Sequence, residues 1–530
     1  MTTQSVTSQG KLCSADDAVA RILDGATIAV DGAGGGVNDP DLVLRALEER
    51  FLATGQPRDL YVIAPNGLGD GRDGGIQRFA HPGMVRRVVC GHWGWAPGLQ
   101  KMAVSGDIEA YCLPQGALSH LMRATAAGLP GSLSRVGLGT FVDPRLDGGA
   151  LNSRTPKELV ELVTLGDETC LLYRRQHIDV AIIRGTAADE HGNLTMDSEG
   201  LYAETLSMAQ AVRNCGGYVI AQARDIVAAG SLDARRVKVP GILIDAVVHN
   251  PHQALSCEFQ RDPSMTAETR APAAGLSSMP LNVRKVIARR AALELRAGEV
   301  VNLGYGVPDG VAAVLAEEAM SQAVHFTLEQ GHVGGVPVLG DSFGLARNQE
   351  AMIDAGYQFD FYDGGGLDVA VLSFAEFDAA GNVNVGKFGG RIPGVGGFIN
   401  IAQGAKRVIF VGTLTAGRAV GYGIGDGKLT LTGDTGRPKV VDRVEQICFS
   451  GETARAAGKR VTYVSERAVF ELEPHGITLT EVAPGVDLER DVLGRIGFTP
   501  LISPSLRTMS AALFRPEPVG LALTLANGGL

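Results

Sequence analysis

Gly25-Ala26-Thr27-Ile28-Ala29-Val30 is matched much later in the chain by Gly298-Glu299-Val300-Val301-Asn302-Leu303. Each stretch is a short run of strand-forming residues, followed by a glycine-rich turn and then by a helical segment that begins beside adjoining Pro and Asp residues. A strand that leads through a turn into a helix is the building unit of a parallel sheet, because the helix carries the chain back across the sheet. The repeated stretch therefore predicts an α/β fold and points to a duplicated domain.

Two further matches follow the first in the same order. Asp179-Val180-Ala181-Ile182-Ile183 corresponds to Asp368-Val369-Ala370-Val371-Leu372, and Tyr218-Val219-Ile220-Ala221 corresponds to Val408-Ile409-Phe410-Val411. Matches that recur in one order are the mark of an internal repeat. We therefore predict two homologous, parallel-sheet-rich α/β domains, built as open sheets and fused in tandem.

The boundary between the two domains is expected in a stretch rich in Pro, Ser, Thr and Ala. With 530 residues the chain is too long for a single core. We place the first domain at residues 1–262, a linker at 263–281 and the second domain at 282–530. Duplicated domains often share a site at their common interface, so both halves are expected to contribute site residues.

Composition and charge exclude several classes of protein. The net charge of −10 argues against a nucleic-acid partner, because phosphates require a basic face. The polar start of the chain does not resemble an export signal, and no apolar stretch reaches the length of a membrane span. Seven scattered cysteines without a CxxC motif are typical of a reducing compartment. We expect a cytoplasmic protein with no membrane partner.

Two glycine-rich loops lie between a strand and a helix, at 32–36 and at 304–308. Backbone N–H groups at such a position can bind a phosphate. Neither loop completes the G-x-G-x-x-G fingerprint of a dinucleotide site, because Val37 and Asp309 stand where the last glycine would be. The broken fingerprints therefore argue against an NAD enzyme, and a tight turn explains the first loop equally well.

An acidic residue follows a strand-like run in Phe326-Thr327-Leu328-Glu329. Ligands of parallel α/β sheets bind at the carboxyl ends of the strands, so Glu329 is a candidate general base or nucleophile. A solvated acid that closes a strand is the competing interpretation. Consecutive glycines at Gly396-Gly397 free the backbone to form an oxyanion hole, although an ordinary turn would explain the same glycines.

Other catalytic patterns are missing from the sequence. The ten histidines form no HExxH motif or pair at metal-ligand spacing, so no metal site is expected. A serine hydrolase is disfavoured because there is no G-x-S-x-G elbow. His332 lies close to Glu329 in sequence and is a candidate for lining the same site.

Taken together, these segments resemble the family I coenzyme A transferases, in particular the fused acetate, propionate or 3-oxoacid enzymes. The resemblance covers nearly the whole chain, and its parts are the following. The segment with the family's catalytic glutamate is resembled by Glu329-Gln330-Gly331-His332-Val333-Gly334-Gly335, and the glycines that supply its oxyanion N–H are resembled by Gly396-Gly397. The family's CoA-contacting loop is resembled by Gly304-Tyr305-Gly306-Val307-Pro308. In the first half, the segment whose Gln faces the reacting carboxylate is resembled by Leu113-Pro114-Gln115-Gly116, and the stretch with a site-lining Asn by Pro65-Asn66-Gly67. The residue after the glutamate is commonly small in this family, whereas here it is Gln330, which leaves the substrate open.

The resemblance implies that CoA moves from an acyl-CoA donor to a carboxylate acceptor, such as a short-chain acid or a 3-oxoacid, in a ping-pong reaction through a Glu329–CoA thioester. Gln115, Asn66, Gln330 and His332 are the implied substrate-binding residues. CoA is a substrate, and no cofactor is implied. A homo-oligomer, dimer or tetramer, is expected. The alternatives are an acyl-CoA hydrolase that uses the same glutamate and a non-catalytic binding protein of the same fold.

Overall fold

A computed structural model describes residues 10–272, 279–417 and 420–524. The first half forms a sheet with the strand order β1-β13-β11-β9-β2-β3-β4-β5, in which neighbouring strands run parallel, and a separate antiparallel sheet β6-β8-β7. Its strands are β1 (Leu12–Cys13), β2 (Thr27–Val30), β3 (Leu60–Ala64), β4 (Val85–Cys90), β5 (Glu109–Cys112), β6 (Gly131–Ser134), β7 (Val160–Leu165), β8 (Glu168–Arg174), β9 (Val180–Asp189), β10 (Leu194–Thr195), β11 (Tyr218–Val227), β12 (Val237–Val239) and β13 (Ala246–His249).

The second half forms a sheet with the order β19-β16-β15-β14-β20-β23-β29-β30-β31-β32, whose central five strands β15 to β29 are parallel. Its strands, with those of smaller sheets, are β14 (Val300–Leu303), β15 (His325–Leu328), β16 (His332–Val333), β17 (Val336–Pro337), β18 (Ala346–Arg347), β19 (Ala351–Met352), β20 (Val369–Ser373), β21 (Glu376–Asp378), β22 (Val383–Asn384), β23 (Arg407–Val411), β24 (Thr415–Ala416), β25 (Gly421–Gly425), β26 (Lys428–Thr432), β27 (Arg437–Pro438), β28 (Val440–Val441), β29 (Arg460–Val464), β30 (Ala468–Glu473), β31 (Gly476–Val482) and β32 (Leu501–Thr508).

The helices pack on the sheets. In the first half they are α1 (Ala15–Val19), α2 (Asp41–Thr54), α3 (Pro97–Ser105), α4 (Gln115–Ala126) and α5 (Thr205–Asn214). In the second half they are α6 (Val283–Ala292), α7 (Gly310–Glu317), α8 (Ala355–Asp363), α9 (Phe398–Gly404) and α10 (Gly451–Ala456). None of the helices in the described ranges has both the length and the apolar character that crossing a membrane requires.

The repeat found in the sequence is also a repeat of topology. The order β3-β2-β9-β11-β13 of the first sheet corresponds to β15-β14-β20-β23-β29 of the second. After β9 and after β20, the turns match in detail: Asp189 accepts hydrogen bonds from the Asn193 backbone and side chain, as Asp378 does from Asn382. The prediction of two homologous, parallel-sheet-rich α/β domains in tandem is therefore confirmed.

One hydrophobic core joins the two halves. It includes the buried strands of the first sheet and continues into the second half through the aromatic side chains of Phe359, Tyr362, Phe398 and Phe410. Helix α4 of the first half packs against α8 and α9 of the second. Burial of large aromatic surfaces at this junction favours a fixed arrangement of the halves, since each such side chain stabilises by roughly 1.5–3 kcal/mol.

The proposed linker at 263–281 is packed where it is described. The side chain of Met265 is fully buried, and Asn348 of the second half donates its backbone N–H to Ser264 O at 3.1 Å and accepts from Ala271 N at 2.7 Å. Residues 273–278 of this stretch lie outside the described residues, as do residues 1–9, on which the expectation of no export signal rests. The domain boundaries at 262 and 282 remain predictions.

Candidate active site

A cavity of about 670 Å³ lies where the two halves meet. Its walls from the second half are the segments that follow β14, β15, β20 and β23, which all end at the same edge of the sheet. From the first half come the segments after β2, β3 and β4 and the first turn of α4. Carboxyl ends of parallel strands thus meet across a domain junction, which is the expected place for a ligand.

Glu329 occupies a tight turn at this edge. Strand β15 ends at Leu328, and the chain returns as β16, with Leu328 paired to His332. Gly331 makes the turn possible, because its φ of 112° suits glycine and a Cβ there would lie 1.9 Å from the carbonyl oxygen of Ile353. The turn holds the Glu329 side chain at the cavity wall.

The Glu329 carboxylate is surrounded by hydrogen-bond donors. The backbone N–H of Gly397 donates to it, and the Gln330 side-chain amide donates to Oε1 at 3.3 Å. Burial is the largest influence and raises the pKa of Glu329 to about 7, while the two donors oppose the rise. A carboxylate that is desolvated yet ionised near neutral pH is a competent nucleophile.

Gly396 and Gly397 bring the second wall onto Glu329. Gly397 precedes helix α9, and a Cβ on it would lie 2.3 Å from Glu329 Oε2. Gly396 donates its N–H to Gly91 O at 2.7 Å and accepts from Gln115 N at 2.9 Å, so both contacts are to the first half. Gly397 therefore allows a close backbone approach that any side chain would block. Gly396 has room for a Cβ, which would lie 3.7 Å from Glu329 Oε1, and its N–H is already engaged by Gly91. Of the two predicted glycines, only Gly397 directs its N–H at Glu329.

Asn66 and Gln115 face Glu329 from the first half. Gln115 Nε2 donates to Asn66 Oδ1, and Asn66 Nδ2 donates to Glu204 Oε2 at 2.8 Å. Ser119 donates to the other oxygen of Glu204, and the backbone N–H of Glu204 donates to Asp31 at 3.3 Å. This buried chain of hydrogen bonds fixes the orientation of the Gln115 amide, whose Oε1 points toward Gly396. Sequence reasoning missed Glu204 because nothing near it marks a site.

The loop at Gly304-Tyr305-Gly306-Val307 lines the cavity beside Glu329. Three bonds hold its backbone: Gly306 N donates to Asp309 Oδ2 at 3.1 Å, Arg284 donates to Gly306 O at 2.6 Å, and Ser373 Oγ donates to Tyr305 O at 2.9 Å. A loop that is held from behind keeps its cavity face available to a ligand.

Two residues predicted for the site lie elsewhere. His332 is fully buried in β16 and does not line the cavity, because alternation along the strand turns it into the interior, where burial lowers its pKa to about 4. Pro308 follows the lining part of its loop and leads into α7 instead. All other residues proposed for the site lie on the cavity wall.

The first glycine loop is shaped by close packing. A Cβ on Gly34 would lie 1.9 Å from the Trp95 indole nitrogen, and a Cβ on Gly35 would lie 1.7 Å from the carbonyl oxygen of Asp341. Gly34 lines the cavity, and Gly35 contacts the second half. Close approach explains these glycines without a bound phosphate.

Aromatic side chains and His92 line a further part of the wall, and of these Trp95 and His92 were not predicted. Trp95, Tyr305 and Phe343 form an edge-to-face series with ring centroids 6.4 and 5.4 Å apart. His92 lines the wall after β4, so the strand-end rule that pointed to Glu329 would have found it too. Trp95 comes from an irregular segment that only tertiary packing brings here.

No three His, Cys, Asp or Glu side chains within residues 10–272, 279–417 and 420–524 are grouped as a metal site requires. Seven free cysteines are present, four of them buried. What the cavity presents is a nucleophilic carboxylate, backbone N–H donors and oriented amides, which suit the attack of a carboxylate on an acyl carbonyl.

Comparison with known proteins gives consistent relatives. The model of the coenzyme A transferase family matches residues 13–250. Acetate CoA-transferase YdiF of Escherichia coli K12 is 43% identical over 521 residues, which is 96% of each chain. Caffeate CoA-transferase of Acetobacterium woodii is 41% identical over 519 residues, or 96% of this chain and 98% of the relative.

Solved structures agree over the full length. The acyl-CoA transferase YdiF of E. coli O157:H7, crystallised as a thioester complex with CoA, superposes with a TM-score of 0.92. It is 42% identical, and the match covers 98% of both chains. Similarity of this extent includes both sheets and the junction between them.

Proposed function

This chain belongs to the coenzyme A transferase family and is a CoA-transferase; we propose that Glu329 is the residue that carries CoA between the two substrates. The observation that carries this proposal is the Glu329 carboxylate at the junction of the halves, with the Gly397 N–H directed at it. The thioester complex of the YdiF relative supports a covalent CoA intermediate in an enzyme with the same fold.

The proposed cycle begins when Glu329 attacks the thioester carbonyl of the acyl-CoA. The tetrahedral oxyanion collapses, the C–S bond breaks, and CoA leaves as a thiolate beside a mixed anhydride. The thiolate then attacks the Glu329 carbonyl and releases the free acid, so that Glu329 becomes a CoA thioester. An acceptor carboxylate reverses these steps and leaves as the new acyl-CoA.

The wall residues are assigned roles in this cycle. The N–H of Gly397 stabilises the oxyanion that forms on the Glu329 side, and Gln115 and Asn66 orient the substrate carboxyl from the other half. The Gly304–Val307 loop contacts CoA, and Gln330 holds the Glu329 carboxylate. Because His332 is enclosed in the core, we assign it to supporting the turn that carries Glu329.

The acceptor is proposed to be acetate or another short-chain acid, or a 3-oxoacid. Relatives of nearly equal identity are named for acetate and for caffeate, acids of very different size. A panel of acyl-CoA donors and carboxylate acceptors, read by the CoA product, identifies the pair. Release of free CoA thiol without an acceptor measures hydrolysis at the same site.

The decisive experiment traps the intermediate. Acetyl-CoA alone is incubated with the protein, and mass spectrometry of the digest is expected to find CoA on the peptide with Glu329. Glu329→Ala should abolish both the adduct and transfer, Glu329→Asp should leave little activity, and Glu445→Ala, at an exposed acid of the same half, should behave as wild type. Transfer activity in Glu329→Ala would contradict the proposal.

We also propose a cytoplasmic homo-oligomer that needs no cofactor. The cycle moves only an acyl group and CoA, so activity is expected to survive dialysis against EDTA. Strand β32 lies at a sheet edge with Leu501 and Ile502 each 48% exposed, which suits a contact with another copy. Light scattering should find two or four chains, and a monomer would contradict the assembly.

A further inference from the structure

The cavity continues along the sheet edge, past the loop at Gly304, to a pair of cations. From Glu329, which follows β15, the wall passes the ends of β14, β20 and β23 in turn. Arg437 and Lys439 line the wall at its far end, where a Cβ on Gly412, just after β23, would lie 2.9 Å from Lys439 Nζ. Strands are about 4.8 Å apart, so two to three spacings place this end roughly 10–14 Å from Glu329. Neither cation has a part in the cycle described above.

Lys439 is held firmly at this place. Its backbone N–H donates to Leu414 O at 3.0 Å, and its carbonyl accepts from Phe377 N at 2.9 Å. The ammonium lies over the ring of Phe374, 4.4 Å from the centroid. The side chain therefore cannot leave the cavity for bulk water without breaking this packing.

The ammonium of Lys439 lacks an anionic partner among residues 10–272, 279–417 and 420–524. The two carboxylates whose charges act on it, Glu376 and Glu466, are engaged by other groups. Glu376 accepts from Asn384 at 3.0 Å and pairs with Arg437 at 3.3 Å. Glu466 pairs with Arg467 at 2.7 Å and accepts from Leu414 N at 2.9 Å. Burial accordingly lowers the pKa of Lys439 to about 8.

A partly buried charge beside apolar walls is costly unless something compensates it. The surrounding wall includes Phe374, Val385 and Phe388, which offer no acceptor side chain. Because the cavity opens onto this ammonium and connects it with Glu329, the missing partner is expected to arrive with the ligand.

We propose that Lys439, assisted by Arg437, binds an anionic oxygen group of the acyl-CoA substrate that is remote from the thioester. This inference rests on the proposed function. Two parts of a substrate have this chemistry: a phosphate of the nucleotide half of CoA, and the far carboxylate of a dicarboxylic acyl group.

The test compares substrates with and without each anionic group. Steady-state constants are measured with acetyl-CoA, acetyl-pantetheine, succinyl-CoA and succinyl-pantetheine for wild type, Lys439→Met and Lys439→Arg. Lys428→Met, at an exposed cation on β26, is the matched control. Lys439→Gln replaces Lys439→Met if the latter does not fold, as judged by thermal unfolding.

If the partner of Lys439 is a phosphate of CoA, Lys439→Met should raise KM for acetyl-CoA at least tenfold but leave KM for acetyl-pantetheine unchanged. A carboxylate partner predicts a rise of KM for succinyl-pantetheine and no change for acetyl-pantetheine or acetyl-CoA. In either case Lys439→Arg recovers most of the loss, and kcat at saturation changes little.

The inference is overturned if KM stays unchanged for all four substrates, or if it rises equally for all four, since acetyl-pantetheine has neither anionic group. Failure of the anion site can be distinguished from failure of the proposed function. Wild-type protein that forms no Glu329 adduct with acetyl-CoA contradicts the function itself, whereas an adduct with KM values insensitive to Lys439 contradicts only the anion site.

Discussion

At the scale of single residues, Gly397 sets how closely the backbone approaches Glu329. A Cβ there would lie 2.3 Å from Oε2, so Gly397→Ala must displace either the carboxylate or the N–H donor. We expect kcat to fall by about 10²-fold or more, the typical cost of losing one oxyanion donor. Gly425→Ala is the control, since its added Cβ meets nothing within 4 Å. Equal activities of the two variants would remove Gly397 from the mechanism.

Glu329 should also determine how the first step depends on pH. Only the carboxylate attacks, and burial raises its pKa to about 7, so the rate of adduct formation should rise about tenfold per pH unit below 7 and level off above it. Gln330→Met removes a donor to the carboxylate and should move the profile to higher pH. Rapid-quench mass spectrometry from pH 5.5 to 8.5 measures this. A flat profile would mean that Glu329 is already ionised throughout.

At the scale of elements, Glu204 connects the start of α5 with the turn after β3 and with α4. It accepts from Asn66 Nδ2 at 2.8 Å and from Ser119, and Asn66 in turn holds Gln115. Glu204→Ala leaves buried donors without a partner, which costs about 1–3 kcal/mol of unfolding free energy. We expect lower kcat as well, because the Gln115 amide is no longer oriented. Glu204→Gln, which keeps the shape of the side chain, should retain more of the unfolding free energy and of kcat than Glu204→Ala.

The same group links stability to pH. Burial, followed by the neighbouring Asp31, raises the pKa of Glu204, so the folded state holds a proton that the unfolded chain releases near pH 4.5. That stabilisation is complete below the unfolded pKa and is lost as pH rises through the raised folded pKa. Between pH 5 and 8 the free energy of unfolding of Glu204→Gln should therefore rise relative to that of the wild type, by at most about 1.4 kcal/mol per pH unit. Calorimetry that shows a constant difference would contradict this assignment.

At the scale of the whole molecule, the site exists only where the halves meet. Gly396 bonds to Gly91 and Gln115, and Asn400 accepts from Gly116 N at 3.1 Å while its amide donates to Asp363 at 2.9 Å. A Cβ on Gly116 would lie 2.4 Å from the Asn400 amide nitrogen. The junction is thus closely fitted, and a shift of one half would separate Gln115 from Glu329.

A divided chain tests this directly. Residues 1–272 and 279–530, expressed together, are expected to copurify and form the Glu329 adduct with acetyl-CoA, because the shared core and the junction bonds re-form. Either half alone should form none, although the second contains Glu329. Adduct formation by residues 279–530 alone would show that the first half is dispensable for the first step.

Local sequence determined the elements of the fold and several residues of the site. The duplicated strands, the turn with Glu329 and the glycines at 396 and 397 follow from local rules of strand, turn and backbone freedom, which neighbouring residues largely impose. Those rules place a residue at a strand end without saying where its side chain points, which is why His332 was assigned to the site although β16 turns it into the core.

Tertiary structure alone decided which distant segments share the cavity. Trp95, Glu204 and Lys439 have no marking motif. Because two sheets pack through one core, Trp95 and Lys439 reach the cavity wall and Glu204 reaches Asn66 behind it. Whether a charged residue is solvated, paired or left facing a ligand depends on what packing has removed from water and which partners it has brought near. Local sequence determines the elements, whereas burial and partnership are set by long-range contacts, and these decide the chemistry of Glu329 and Lys439.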